Sequence, residues 1–132
     1  MTSNINRLSQ STPECSGGKP YLFAIYAVNR QCFGMLKRTH QKDDAASVAI
    51  YSDCERYRYS LTRVWDDTGG KVHFVMLNPS TATEVQNDPT VERCERRARA
   101  LGYGAFRVTN IFAWRDTDPK KMRAARDPIG PG

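Results

Sequence analysis

Lys71-Val72-His73-Phe74-Val75-Met76-Leu77, then Asp88-Pro89-Thr90-Val91, then Ala105-Phe106-Arg107-Val108-Thr109-Asn110-Ile111: this succession of apolar run, helix start and apolar run decides the fold class. The first run lacks clean alternation, as a central strand covered on both faces would. Asp88 is placed to cap a helix and Pro89 to open it, where a missing N–H costs nothing. Val91, Cys94, Ala98 and Leu101 recur at helical spacing as one narrow apolar stripe, and Gly102 supplies the stop. Strand, helix and strand of these lengths form a βαβ unit with two central parallel strands and a right-handed crossover.

Upstream, Tyr57-Arg58-Tyr59-Ser60-Leu61-Thr62 alternates with period two and Ser47 to Tyr51 reads as a short strand, so an antiparallel hairpin precedes the βαβ unit. Asp66-Asp67-Thr68-Gly69-Gly70 carries turn chemistry. Downstream, Asp118-Pro119 repeats the cap signature and predicts a short helix to about Arg126. The expected architecture is α/β: a partial three-layer sheet, in a single domain over residues 46–132 that looks incomplete at its C-terminus. Residues 1–45 are read as a leader or extension. Residues 1–20 are rich in Ser, Thr, Asn, Gly and Pro and are expected to be disordered.

The 132 residues suit one modest domain. The longest apolar run, Tyr21 to Val28, is far short of the roughly 20 residues that span a bilayer, and about twenty mostly polar residues before it are the wrong layout for a secretory signal. A soluble cytoplasmic protein is expected. The formal charge is +6, with 10 basic and 9 acidic side chains up to residue 88 but 10 and 5 beyond it. That balance suits an anionic partner such as nucleic acid or a nucleotide. The four cysteines show no C-x-x-C pair, so reduced thiols are expected rather than zinc or disulfides. Neither G-x-x-x-x-G-K-[ST] nor G-x-G-x-x-G is present, and no spacing calls for a metal or cofactor.

Ligands of open parallel sheets bind beyond the carboxyl ends of the strands. Two segments meet that condition, Asn78-Pro79-Ser80-Thr81 and Asn110 to Asp116, and parallel neighbours place Asn78 and Asn110 on one rim. The connection from Asn78 to Asp88 is longer than the usual two to six residues or so, as functional loops often are. Carboxamides pair with base edges, Ser80 and Thr81 suit a phosphate or a positioned water, Phe112 and Trp114 offer stacking faces, and Arg115 can neutralise a phosphate. The candidate catalytic residues are Asn78, Ser80 and Asp88; the candidate binding residues are Thr81, Arg93, Asn110, Trp114 and Arg115. Ordinary turn chemistry explains Asn-Pro-Ser-Thr equally, and Phe112 and Trp114 also fit a core. Asp88 and Asp116 are candidate general bases that caps and turns explain as well.

Arg63 falls on the apolar side of its strand, where a charge needs a partner. Either it reaches the crevice, or a bulge turns it outward, or it pairs with a core carboxylate such as Asp88. Glu92–Arg96 and Glu95–Arg99 are i,i+4 pairs that occupy two of the helix's four arginines, leaving Arg93 and Arg97 for a ligand. Asp88 puts negative charge where a phosphate would otherwise meet the helix N-terminus. His73, mid-strand, reads as a packed core residue.

The stretch from Tyr57 to Gly132 resembles a bacterial and phage family catalogued as domain of unknown function 1643. Its motifs are Tyr57-Arg58-Tyr59-x-Leu61-x-Arg63-x-Trp65, Phe74 to Ala82, Asp88-Pro89-Thr90-Val91-x-Arg93-Cys94, Gly102-Tyr103-Gly104, Val108-x-Asn110-x-Phe112-Ala113-x-Arg115, Asp118-Pro119 and Asp127-Pro128-x-Gly130-Pro131. That family is distantly similar to uracil-DNA glycosylases. The resemblance implies that Asn78-Pro79 matches the strand-end loop that grips a base and positions the attacking water. A later His-Pro segment typical of the family is missing here, which implies a truncated chain. The resemblance therefore points to a domain that recognises or processes a nucleobase or nucleotide in nucleic acid. The alternative is a non-catalytic nucleic-acid-binding or accessory module, or an inactive remnant.

Overall fold

The computed structural model describes residues 34–131; the expected leader 1–20, the apolar stretch Tyr21–Val28, Cys15 and Cys32 lie outside them. Five strands form one sheet: β1 (Met35–Lys42), β2 (Ala45–Ser52), β3 (Arg58–Val64), β4 (Lys71–Met76) and β5 (Ala105–Asn110), in the order β1-β2-β3-β5-β4. Helix α1 (Pro89–Ala100) connects β4 to β5, and the short α2 (Pro119–Ala124) follows. β4 and β5 are parallel and every other neighbouring pair is antiparallel, so the fold is α/β with a βαβ unit after a hairpin. The described strands belong to one compact unit, Gln31–Gly132.

Two details differ from the sequence reading. β4 is the last strand of the sheet, not a central one, and its residues alternate between exposed and half-buried. His73 is therefore exposed, with Nε2 2.7 Å from Thr109 Oγ1 on the neighbouring strand, and is not a core residue. An apolar run without alternation suggested cover on both faces, yet Val75 stands 64% exposed. The second difference is β1, which pairs with β2 along its whole length although its mostly exposed residues carry no apolar period.

One sheet face carries the core. Cross-strand register brings Ala49 opposite Leu61, Leu61 opposite Val108 and Val108 opposite Phe74. Phe106 lies in the same layer, packed near Phe74 and Trp65. Val91 and Ala98 of α1 close over it, whereas Leu101, the last residue of the expected stripe, is 68% exposed beyond the helix end and Cys94 is only half-buried. Full burial of each large apolar side chain contributes about 1.5–3 kcal/mol.

The helix ends follow the sequence signals. Both Thr90 N and Val91 N donate to Asp88 Oδ1. Gly102 takes φ +80°, letting Tyr103 N reach Ala98 O at 3.0 Å. Gly104 accepts from Trp65 N and Asp66 N, and a Cβ there would strike the Asp66 carbonyl oxygen. Arg99 grips Asp44 with both Nη atoms at 2.8 and 2.9 Å, donates to a second carboxylate, that of Glu95, and lies 4.1 Å over the Trp65 ring. The β1–β2 turn, the end of β3 and α1 are thus joined by one guanidinium.

Arg63 faces this core with its side chain fully buried. Its guanidinium donates to Ser47 Oγ on β2, to Thr83 O at 2.9 Å, to Glu84 O at 3.1 Å and twice to Asn87 Oδ1. Glu95 of α1 stands 3.8 Å away, so the countercharge is Glu95 rather than Asp88. Asn87 is held from its other end by Glu92 and Glu95.

Two stability measurements follow. Replacing Arg63 by Met leaves two loop carbonyls and Asn87 Oδ1 without this donor and removes a countercharge of the buried Glu95, and is expected to lower unfolding free energy by about 3–5 kcal/mol in urea titrations. The Arg99 hydrogen bonds hold the Asp44 carboxyl below its ordinary value of 3.8. A carboxyl depressed in the folded state stabilises above its unfolded value, and that contribution is lost as pH falls through the folded value. Urea midpoints of Asp44→Asn are therefore expected to fall less steeply than those of the wild type as pH is lowered below about 4.

Candidate functional site

Because β4 and β5 are parallel and β3 runs against β5, one end of the sheet gathers three connections: the β2–β3 turn, the loop after β4 and the loop after β5. Main-chain bonds zip them together. Asp116 N donates to Pro79 O, Arg115 N to Arg56 O, Arg58 N to Ala113 O and Phe112 N to Leu77 O, at 2.9–3.0 Å. Tyr57 and Trp114 form a bridge between the two outer segments, their rings edge to face with centroids 5.4 Å apart.

The three connections line an open cleft of about 610 Å³ formed by Glu55, Arg56, Ser80, Thr81, Trp114, Arg115, Asp116 and Thr117. Five residues singled out from the sequence therefore meet: Ser80 and Thr81 from the loop after β4, Trp114, Arg115 and Asp116 from the loop after β5. Asn78 lies just behind this wall. Its Nδ2 donates to Asp116 O at 2.8 Å and so ties the two strand-end loops together. Asn110 stands opposite Met76 in the parallel register and does not line the cleft. The two carboxamides share a sheet end but not the hollow. Arg93 is exposed on α1 and is likewise not a lining residue.

Asp88 is committed elsewhere. Oδ1 accepts from Thr90 N and Val91 N and Oδ2 accepts from Ala82 N, so the buried carboxylate joins the loop to the helix it caps. Asp116 is different. One oxygen, Oδ1, accepts from Asp118 N at 2.9 Å, and the residue reaches the cleft. The other lining carboxylate, Glu55, is ion-paired with Arg38.

Sequence reasoning did not find Glu55, Arg56 and Thr117. The first two sit in the β2–β3 turn, where Glu55 adopts φ +57°. Hairpin pairing of Ser47–Tyr51 with Tyr57–Thr62 contained the signal, since β3 must start at the end where β5 finishes. Behind the cleft, Tyr51 donates to Glu84 Oε2 at 2.8 Å, and the Arg115 guanidinium lies 5.2 Å from the Tyr51 ring centroid. Burial and the Glu84 carboxylate push the Tyr51 hydroxyl above its ordinary pKa. Arg58 is 2% exposed, and burial pulls its guanidinium down to about 10. It donates to Ala82 O from Nη1, while Nε has no partner.

Among the described residues no three His, Cys, Asp or Glu side chains come together as metal ligands, and no helix is long and apolar enough to cross a membrane. Burial raises the pKa of Cys94, the wrong direction for a nucleophile.

No curated protein and no solved structure matches the chain. A family model does: the one described as "Protein of unknown function (DUF1643)" matches residues 58–132 and so covers β3, the βαβ unit and both strand-end loops. The chain belongs to the DUF1643 family.

Proposed function

We propose that the cleft recognises a nucleobase or nucleotide within nucleic acid, in a domain of glycosylase-like type. The observation that carries this reading is the meeting of Ser80, Thr81, Trp114 and Arg115, from two strand-end loops, in one cleft. Hydroxyls and a guanidinium recognise phosphate and sugar oxygens, while an indole offers a stacking surface. Stacking of a base on an aromatic ring contributes about 1–3 kcal/mol, enough to offset much of the few kcal/mol needed to extrude a base from a duplex. Asn78 acts through position here. By holding Asp116 O it keeps the two loops at one spacing.

Binding without turnover is the second reading, and the disposition of the acidic and imidazole groups favours it. The Asp88 carboxylate is used by three main-chain N–H groups, and neither His40 nor His73 lines the cleft. Asp116 is then the lining carboxylate available to polarise a water, since Glu55 is ion-paired with Arg38.

Fluorescence anisotropy with labelled single-stranded oligonucleotides, with and without uracil, tests both readings. Affinity is expected to fall steeply between 50 and 200 mM salt or thereabouts. Trp114→Ala is expected to weaken binding by about 1–3 kcal/mol. Thr81→Ala, at an exposed position, is expected to weaken it by a smaller amount without altering the urea midpoint. Salt-insensitive or absent binding overturns the proposal. Release of free base, followed by chromatography, separates a glycosylase from a binding module; its loss in Asp116→Asn assigns the water-activating group.

A further inference from the structure

Arg56 and Arg115 stand opposite each other across the zipped β2–β3 turn and post-β5 loop, Arg115 N bonding to Arg56 O, and both line the cleft. Like charges directly opposite in an antiparallel pair are destabilising. Four arginines, Arg38, Arg63, Arg96 and Arg99, each have a carboxylate within ion-pair distance. Among the described residues Arg56 and Arg115 have none. A third cation, Arg58, is buried nearby, and its charged form is disfavoured by that of Arg115.

The Arg115 guanidinium is also held in place. Nη1 donates to Glu55 O at 3.2 Å, the Tyr51 ring lies beside it, and Nε is buried without an acceptor. A fixed planar fork with donors to spare matches a phosphate oxygen pair better than a mobile ammonium does.

We infer that the cleft contains a phosphate subsite bracketed by Arg56 and Arg115, with the Ser80 and Thr81 hydroxyls as further donors and Arg58 as the buried charge behind it. The inference rests on the reading that the ligand is a nucleotide, and it states which part of the nucleotide this wall takes. Asp116 repels an anion placed beside it, so the phosphate sits toward Arg56 and Arg115, and Asp116 with Thr117 faces hydroxyl or amino groups of the ligand.

Calorimetric titration of the full chain with inorganic phosphate, a nucleoside 5′-monophosphate and the matching nucleoside, each at matched ionic strength in chloride, tests the subsite. Phosphate is expected to bind saturably, and the monophosphate more tightly than the nucleoside. Arg56→Gln removes an exposed side chain without a partner, so the fold is retained, and it is expected to weaken phosphate and monophosphate about tenfold while sparing the nucleoside. Arg115→Lys keeps the charge but loses the fork and is expected to weaken the same two ligands. Equal phosphate affinity in wild type and Arg56→Gln, or no binding beyond the chloride control, overturns the subsite. Nucleoside binding without phosphate binding overturns it while leaving the nucleobase reading intact; phosphate binding with no preference for any nucleotide supports the subsite and overturns that reading.

Discussion

A guanidinium buried in an apolar sheet face has to be saturated with acceptors, and here the acceptors come from a loop. Arg63 takes the carbonyls of Thr83 and Glu84 and the carboxamide of Asn87, with Ser47 and Glu95 completing its shell. Desolvating the charge is costly, and burial accordingly lowers the pKa of Arg63. In return, a connection with no secondary structure of its own acquires a fixed path. Its main-chain groups would otherwise need water or each other. Arg58 does the same one loop residue earlier through Ala82 O, and Asp88 secures Ala82 N. The loop between β4 and α1 is pinned from the sheet side at three successive residues, Ala82, Thr83 and Glu84, and again at Asn87 near its end.

That pinning is what makes the cleft a defined site rather than a gap between loops. Ser80 and Thr81 precede the pinned stretch, and Asn78 holds its beginning to Asp116 O. The opposite wall is tied by the Tyr57–Trp114 bridge and by Arg115 to Glu55 O. The C-terminal segment adds its own bonds, Trp114 N to Pro128 O and Tyr57 hydroxyl to Asp127 O. Preorganised walls reduce the ordering cost of binding. A proposed ligand then meets hydroxyls, an indole and a guanidinium whose positions are already set.

Which parts of this were legible beforehand follows from the range of each interaction. Caps are local: Asp88-Pro89, Asp118-Pro119 and Gly102 announce the helix ends because their partners lie within a few residues. The period-two run Tyr57–Thr62 announces β3 for the same reason. Strand order is not local, and an apolar run such as Lys71–Leu77 looks alike at a sheet's centre and at its edge. β1 has no apolar period because most of its side chains are exposed; its place depends on pairing with β2. Arg63 was visible as an anomaly, yet its partners lie about twenty residues on, and no spacing rule names them. Ser80, Thr81, Trp114 and Arg115 were reached by a rule about strand ends, whereas Arg56 needed the hairpin register and the sheet order together.

Asp88 also determines the polarity of the proposed site. Helix N-termini attract phosphate through their free N–H groups and the aligned peptide dipoles. At α1 both functions are filled by a carboxylate of the chain itself, which satisfies Thr90 N and Val91 N and repels a second anion. Positive potential for a ligand must therefore come from side chains. In this fold the lining cations, Arg56 and Arg115, stand on the walls made by the β2–β3 turn and the post-β5 loop. A phosphate bound there is held by side chains rather than by the N-terminus of the βαβ helix, unlike sites that seat phosphate on the helix after the first parallel strand. The hairpin, at first sight an accessory to the parallel pair, then supplies half of the electrostatic recognition.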